Sequence, residues 1–363
     1  MSEVLEAALE RFAGRRTAQG DPMRHRFAVL PSRQEPRYLL PLGDSRTTLE
    51  GFRVYTPYEL GARFRKGLLS QLVKTGWSGW AMHSLYVGEP LGLTALVTNV
   101  TGERNPAFAM VLGTPGKYRK LVIQVMRASG ETLGYIKLGL TKPAGERVRY
   151  EARVLGDLAS LRPLVPRVLY AGEWQDSYVL FQSPLEGRPG PAELSGMHVE
   201  FLEKLAALRR VDKPGLTLLE EAGARWKEVT WRCDWRWQRL GTATLTAARR
   251  DLENITVPCG YWHGDFAPWN TRVVDGKLSV FDWEACEPEA PFGWDTFHFS
   301  LQVACLRKKS WRTKFDLSGT PGARGLFLLF LLTNLGRALD ERSESNERLD
   351  YCQQALISEL GAV

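Results

Sequence analysis

With 363 residues, 44% of them hydrophobic and 25% charged, the chain has an ordinary globular composition and is too long for one compact core. A net charge of +7 suits polyanionic partners, but no Lys/Arg run exceeds three residues, so no nucleic-acid module is expected. The LFLLFLL run at Leu326–Leu332 is far short of the ~20 residues that span a bilayer. Five cysteines without a C-x-x-C pair speak against a metal cluster and for a reduced, cytoplasmic setting.

The opening MSEVLEAALERFAG reads as a short amphipathic helix, without the apolar stretch of a secretory leader. His25–Pro31 and Arg37–Leu42 read as two short strands joined by a polar turn. A helix is predicted over 57–74, with Leu60, Phe64, Leu68, Leu69 and Leu72 at helical spacing. Its other face carries Arg63, Arg65, Lys66 and Lys74, and residues 1–75 hold 13 Lys/Arg against 8 Asp/Glu. Basic residues in 57–75 suit peripheral contact with a membrane or an acidic partner; a solvated face of an accessory segment is the other reading.

From Asn105 the chain is β-rich. Strands are predicted at Ala107–Gly113, Lys120–Met126 and Thr132–Gly139. The turn between the first two holds Gly113, Thr114 and Gly116. Glycines there let backbone N–H groups approach phosphate oxygens, and an ordinary hairpin turn is an equal reading. Alternation along the third strand puts Tyr135 and Lys137 on one face. A helix follows over about 145–161, with Val148, Ala152, Leu155 and Leu158 on one side and Glu151 among them. A carboxylate on an inward face needs a partner, and Lys137 is the natural one.

Short strands at Arg167–Ala171 and Ser177–Gln182 run into Ser183-Pro184-Leu185-Glu186-Gly187, a linker-like stretch. Beyond about Ala192 the chain is mostly helical. Trp226, Trp231, Trp235 and Trp237 crowd one segment and read as core rings or as stacking surfaces.

Gly260–Asp295 carries the chemistry. His263-Gly264-Asp265 is followed by Asn270, then a hairpin about Asp275-Gly276, then the apolar run that delivers Asp282. Phosphoryl transfer needs a carboxylate beside the attacking hydroxyl and hard oxygen ligands for Mg²⁺. Asp265 supplies the first; Asn270 and Asp282 supply the second.

H-G-D-x-x-x-x-N followed by D-W-E resembles the aminoglycoside phosphotransferase and choline kinase family, over about residues 105–363. The resemblance implies an α+β, two-lobed, protein-kinase-like fold, with a β-rich N-lobe at 105–183, a helical C-lobe at 184–363 and an N-terminal α/β extension at 1–104. It implies an ATP- and Mg²⁺-dependent kinase of a small hydroxylated acceptor: a sugar, an aminoglycoside-like molecule, an amino alcohol or a glycolipid. By that resemblance Lys137 contacts phosphates and pairs with Glu151, and Tyr135 lies under the adenine. The hinge backbone from about Gln182 to Leu185 meets the base edge, His263 supports the loop, and Asp295 lies beneath it. Only twelve residues separate Asp282 from Asp295, too few for the peptide platform of a protein kinase. Trp269, Trp283, Glu284, Glu287 and Glu289 are expected near the acceptor. A catalytically silent nucleotide-binding scaffold, acting through residues 1–104, is the rival reading.

Overall fold

A computed structural model describes residues 3–13, 24–32, 34–54, 60–75, 84–231, 233–307, 322–341 and 347–361. They divide into two compact units, Met1–Arg153 with Pro166–Pro184, and Val154–Val165 with Leu185–Val363.

The first unit is built on one sheet. Its strands are β1 (Arg24–Pro31), β2 (Pro36–Pro41), β3 (Ser84–Gly88), β4 (Ala107–Leu112), β5 (Lys120–Met126), β6 (Thr132–Gly139), β7 (Val168–Trp174) and β8 (Ser177–Gln182). Their order is β3-β1-β2-β4-β5-β6-β8-β7, antiparallel throughout. Helices α1 (Glu3–Ala13), α2 (Ser45–Gly51), α3 (Leu60–Lys74) and α4 (Leu91–Thr101) belong to the same unit.

Side chains alternate between the two faces of a strand. Phe27, Val29, Leu39, Phe108, Met110, Ile123 and Val125 enter one core with Leu5, Leu9 and Phe12 of α1 and Leu93 and Val97 of α4. Ala28, Leu40, Ala109 and Met126 enter a second core with Phe52 and Val73. A sheet covered on both faces has no solvated side, which is why AFAMVL and LVIQVM read as nearly unbroken apolar runs.

The sheet crosses the expected boundary at 104/105. β2 pairs with β4 through Tyr38↔Val111 and Leu39↔Met110. The N-terminal segment thus adds three strands to the kinase-like sheet.

Helix α3 faces otherwise than its spacing predicts. Val73 is buried and Leu69 packs beside it, while Phe64 and Leu68 are 76% and 55% exposed. The inward stripe runs along Leu69 and Val73, about 140° of helical rotation from Phe64 and Leu68. Lys66 is drawn inward too, its Nζ donating to the Phe52 carbonyl at 2.8 Å. Residues 57–59, and the side chains of Leu60, Arg63 and Arg65, lie outside what the structure describes. No helix among the described residues is long and apolar enough to cross a membrane.

Where the first unit meets its helix α5 (Lys142–Asp157), two glycines are opposed. A Cβ on Gly139 would sit 2.2 Å from the Gly145 nitrogen, so only glycine allows this approach of strand to helix.

The second unit is helical with two small sheets. It contains β9 (Arg188–Pro189), α6 (Gly196–Leu208), β10 (Val211–Pro214), α7 (Gly215–Thr230), α8 (Trp235–Leu252), β11 (Thr256–Trp262), β12 (Thr271–Val274), β13 (Lys277–Val280), β14 (Glu287–Pro291), α9 (Trp294–Leu306), α10 (Ala323–Glu341) and α11 (Glu347–Leu360). The LFLLFLL run lies within α10 and is buried from Phe327 to Leu332, against Trp226, Leu252 and Trp262. Trp226 is a core ring with Trp237 packed on it, whereas Trp231 and Trp235 are 64% and 61% exposed.

Candidate active site

In the first unit, Lys137 and Glu151 form a buried ion pair. The ammonium donates to both carboxylate oxygens, at 2.6 and 2.7 Å, and the two residues are 4% and 0% exposed. Strand alternation and helix periodicity bring together the two groups that the sequence pairs. A buried charge of either kind would be costly alone, and each offsets the other. Tyr135 lies two residues from Lys137 on the same face of β6, half-buried and paired in register with Gln182.

The expected phosphate loop is exposed at Thr114 and Gly116, and Gly116 has a positive φ of 144°. Gly113 is a correction: its N–H donates to the Lys120 carbonyl at 2.9 Å, closing the hairpin, so it has no amide to offer a phosphate. At the hinge some of the expected backbone groups are already engaged. Gln182 is paired on both sides within the sheet, with its side chain buried. The Ser183 N–H donates to the Arg167 carbonyl at 2.8 Å. Pro184 has no N–H, leaving only its carbonyl for a base edge.

In the second unit the loop after β11 is held from several sides. His263 is fully buried. Its Nδ1 accepts the Asp265 N–H at 3.2 Å, so Nε2 carries the hydrogen and donates to the Phe281 carbonyl at 3.0 Å. Burial pushes the imidazole pKa down to about 4. A neutral ring with both nitrogens engaged is suited to supporting the loop. Gly264 has φ +81°, and a Cβ there would sit 2.1 Å from the Ala285 carbonyl oxygen, so the position requires glycine. Beneath the loop Asp295 accepts the His263 N–H at 3.1 Å.

The Asp265 carboxylate is fixed at both oxygens and remains 31% exposed. Asn270 Nδ2 donates to Oδ2 at 2.8 Å, and His298 Nε2 lies 3.1 Å from Oδ1. Asn270 Nδ2 also donates to the Asp265 carbonyl at 2.8 Å, which leaves its Oδ1, a hard oxygen, for a cation. Asp282 sits at φ +71°, a left-handed conformation that costs a non-glycine residue about 1–2 kcal/mol. Such strain is typical of functional positions. A Glu284 carboxylate oxygen lies within 4.8 Å of one from Asp282. Carboxylate and amide oxygens are the hard donors that Mg²⁺ takes.

Three expected acceptor contacts are corrected. Trp283 is completely buried, its indole N–H donating to the Val280 carbonyl at 3.1 Å and its ring packed on His263 and Phe201. Glu287 meets Arg337 at 2.6 Å through one oxygen and Arg225 at 2.8 Å through the other. Burial opposes its ionisation, but the two guanidiniums outweigh that and its pKa falls below the ordinary value. Glu289 is taken by Arg209 and by Lys213. Trp269 and Glu284 remain half-buried. Trp283→Ala is therefore expected to cost about 3–5 kcal/mol in denaturant unfolding; a stable variant with only a raised acceptor KM would restore the contact role.

His298 and Arg337 were not singled out from the sequence. His298 follows Asp295 by three residues on α9, so both face the catalytic loop. Arg337 is a cation on a largely apolar helix, which signals an internal partner.

The buried titratable groups give a pH signature. His263 and His198 have pKa values depressed to about 4 by burial. Their unfolded forms take up protons below about 6.5, so their contribution to stability is lost as pH falls from there toward 4. Burial pushes Asp295 up to about 7, against the N–H groups of His263 and Gly264. The folded protein then keeps a proton that the unfolded chain releases between about 4 and 7, which stabilises it as pH falls. Asp295→Asn should therefore deepen the loss of unfolding free energy between pH 7 and 4.5 by about 3 kcal/mol. An unchanged slope would mean that Asp295 is ionised in the folded state.

From Asp282 to Asp295 the chain is consumed by the packing of Trp283, the arginine pairs of Glu287 and Glu289, and β14. No peptide platform is formed there, and the fold and site together define a small-molecule phosphotransferase with a protein-kinase-like fold. Residues 124–292 match the model of the phosphotransferase enzyme family. No curated protein sequence matches the chain. Among solved structures, a thermostable mutant of aminoglycoside phosphotransferase APH(4)-Ia, in ternary complex with ADP and hygromycin B, is similar with a TM-score of 0.51 and 14% identity over 75% of this chain and 99% of that one. A mutant of the same enzyme with AMP-PNP and hygromycin B gives 0.51 and 15%, over 75% and 100%. An ethanolamine kinase from Plasmodium vivax gives 0.46 and 11%, over 88% and 95%.

Proposed function

We propose that the protein moves the γ-phosphate of ATP, with Mg²⁺, to a hydroxyl of a small polyhydroxylated or amino-alcohol acceptor. The observation that carries this reading is the Asp265 carboxylate, held at one oxygen by Asn270 and at the other by His298 yet still partly open. A carboxylate so held can orient an acceptor hydroxyl and take its proton late in transfer. Lys137, held by Glu151, would contact the phosphates, with Thr114 and Gly116 contributing backbone from the adjoining loop. Asn270 and Asp282, with Glu284 beside them, would hold the cation. When bound, Mg²⁺ neutralises charge on the phosphates. The solved relatives with ADP, AMP-PNP and hygromycin B support a nucleotide and a sugar-like acceptor. The intact Lys137–Glu151 pair and the full set of oxygen donors weigh against a silent scaffold.

The test is thermal unfolding with ATP or GTP, each with and without Mg²⁺, followed by transfer of labelled γ-phosphate to a panel of aminoglycosides, sugars and amino alcohols. A ligand at a hundredfold excess over its Kd stabilises by about 2.7 kcal/mol. A Mg²⁺-dependent shift with transfer to one acceptor class is expected. No shift with either nucleotide would overturn the proposal.

A further inference from the structure

We infer that Arg337 is a positioning residue that sets the spacing between the loop of Asp265 and the loop of Asp282, with Glu287 keeping it in place. This rests on the phosphotransferase reading. Arg337 lies on α10, and its guanidinium reaches both loops. Nη1 donates to the Gly264 carbonyl at 3.2 Å, next to Asp265. Nη2 donates to the Ala285 carbonyl at 3.1 Å, three residues after Asp282, and to Glu287 Oε1 at 2.6 Å. The plane lies over the Trp262 ring, 4.0 Å from its centroid.

The two loops are joined elsewhere by short bonds. His263 donates to the Phe281 carbonyl at 3.0 Å, and the Phe281 N–H donates to the Asn270 carbonyl at 3.0 Å. Those bonds act before Asp282 in the chain. Arg337 acts after it, so Asp282 is held from both sides. The place also has little slack, because the missing Cβ of Gly264 is 2.1 Å from the Ala285 oxygen and 2.9 Å from Arg337 Nη1. A planar fork can bridge two carbonyls and a carboxylate while stacked on an indole. A lysine, as a point charge on a flexible stem, cannot reproduce that. Glu287 supplies the counter-charge, and Arg225 from α7 holds its other oxygen.

The consequence falls on cation-dependent binding, because the spacing places the oxygen donors. Arg337→Lys and Arg337→Gln should raise the Mg²⁺ concentration for half-maximal ATP-dependent thermal stabilisation by about 10-fold or more. Glu287→Gln should act in the same direction and add little to Arg337→Gln. The measurement is a Mg²⁺ titration of the ATP-induced shift on the full chain, with ligand-free unfolding as the check on folding. If Arg337→Gln does not fold, Arg337→Lys and Glu287→Gln decide. Folded variants with the wild-type Mg²⁺ requirement would overturn the positioning role and leave the phosphotransferase reading intact. A wild-type chain with no Mg²⁺-dependent shift would overturn both.

Discussion

Asp265→Asn is expected to fold, to bind ATP with Mg²⁺ as the wild type does, and to lose phosphate transfer by about 10²–10⁴-fold. The substitution keeps the shape and removes the charge and the proton acceptor. Asn270 and His298 both aim hydrogen-bond donors at the present carboxylate, at 2.8 and 3.1 Å. An amide offers one oxygen and one NH₂ group, so one of the donors loses its acceptor, at a cost of roughly 1–3 kcal/mol if that donor stays buried. That cost appears in the unfolding midpoint and the catalytic loss appears in single-turnover transfer, so the two are measured separately. Near wild-type transfer in the variant would remove Asp265 from the role of base.

Much of this site is local in sequence. His263, Asp265, Asn270 and Asp282 lie within one loop and one hairpin, so local spacing alone suggests the proposed chemistry. Lys137 and Glu151 are legible for a different reason, since strand alternation and helix periodicity each assign a face, and two inward charges of opposite sign need each other. The failures are long-range. Glu287 looks like a substrate-facing acid because its partners, Arg225 and Arg337, are 62 and 50 residues away. Trp283 looks exposed beside Asp282 because nothing local announces Phe201, which packs on it.

The N-terminal segment shows the same limit. Its first two strands are visible, but the pairing of Leu39 with Met110 joins parts of the chain that no local pattern connects. Adjacent apolar residues at Leu39 and Leu40 do carry the clue, since one enters each core and an interior strand needs both faces apolar. Helix α3 fails more narrowly: its apolar residues define two stripes, and the buried Val73 selects the one that excludes Phe64 and Leu68.

Asp282→Ala and Asp282→Gly should both abolish the Mg²⁺-dependent part of ATP stabilisation, yet differ in stability without ligand. Asp282 holds φ at +71°, where a side chain is penalised and glycine is not. Alanine keeps that penalty and lacks the local hydrogen bonding by which aspartate tolerates the left-handed region. Asp282→Gly should therefore unfold at a higher midpoint than Asp282→Ala, by about 1 kcal/mol after the entropy of the more flexible unfolded chain is set against the relief. If the Asp282 carboxylate holds the cation as proposed, strain at this position is stability given up for function. Thermal unfolding of the two variants, with ATP and with or without Mg²⁺, measures both parts. Retention of the Mg²⁺-dependent shift in Asp282→Ala would mean that Asn270 and Glu284 suffice and that Asp282 is not a ligand. Equal midpoints for the two variants would mean that the left-handed backbone at 282 is not under strain.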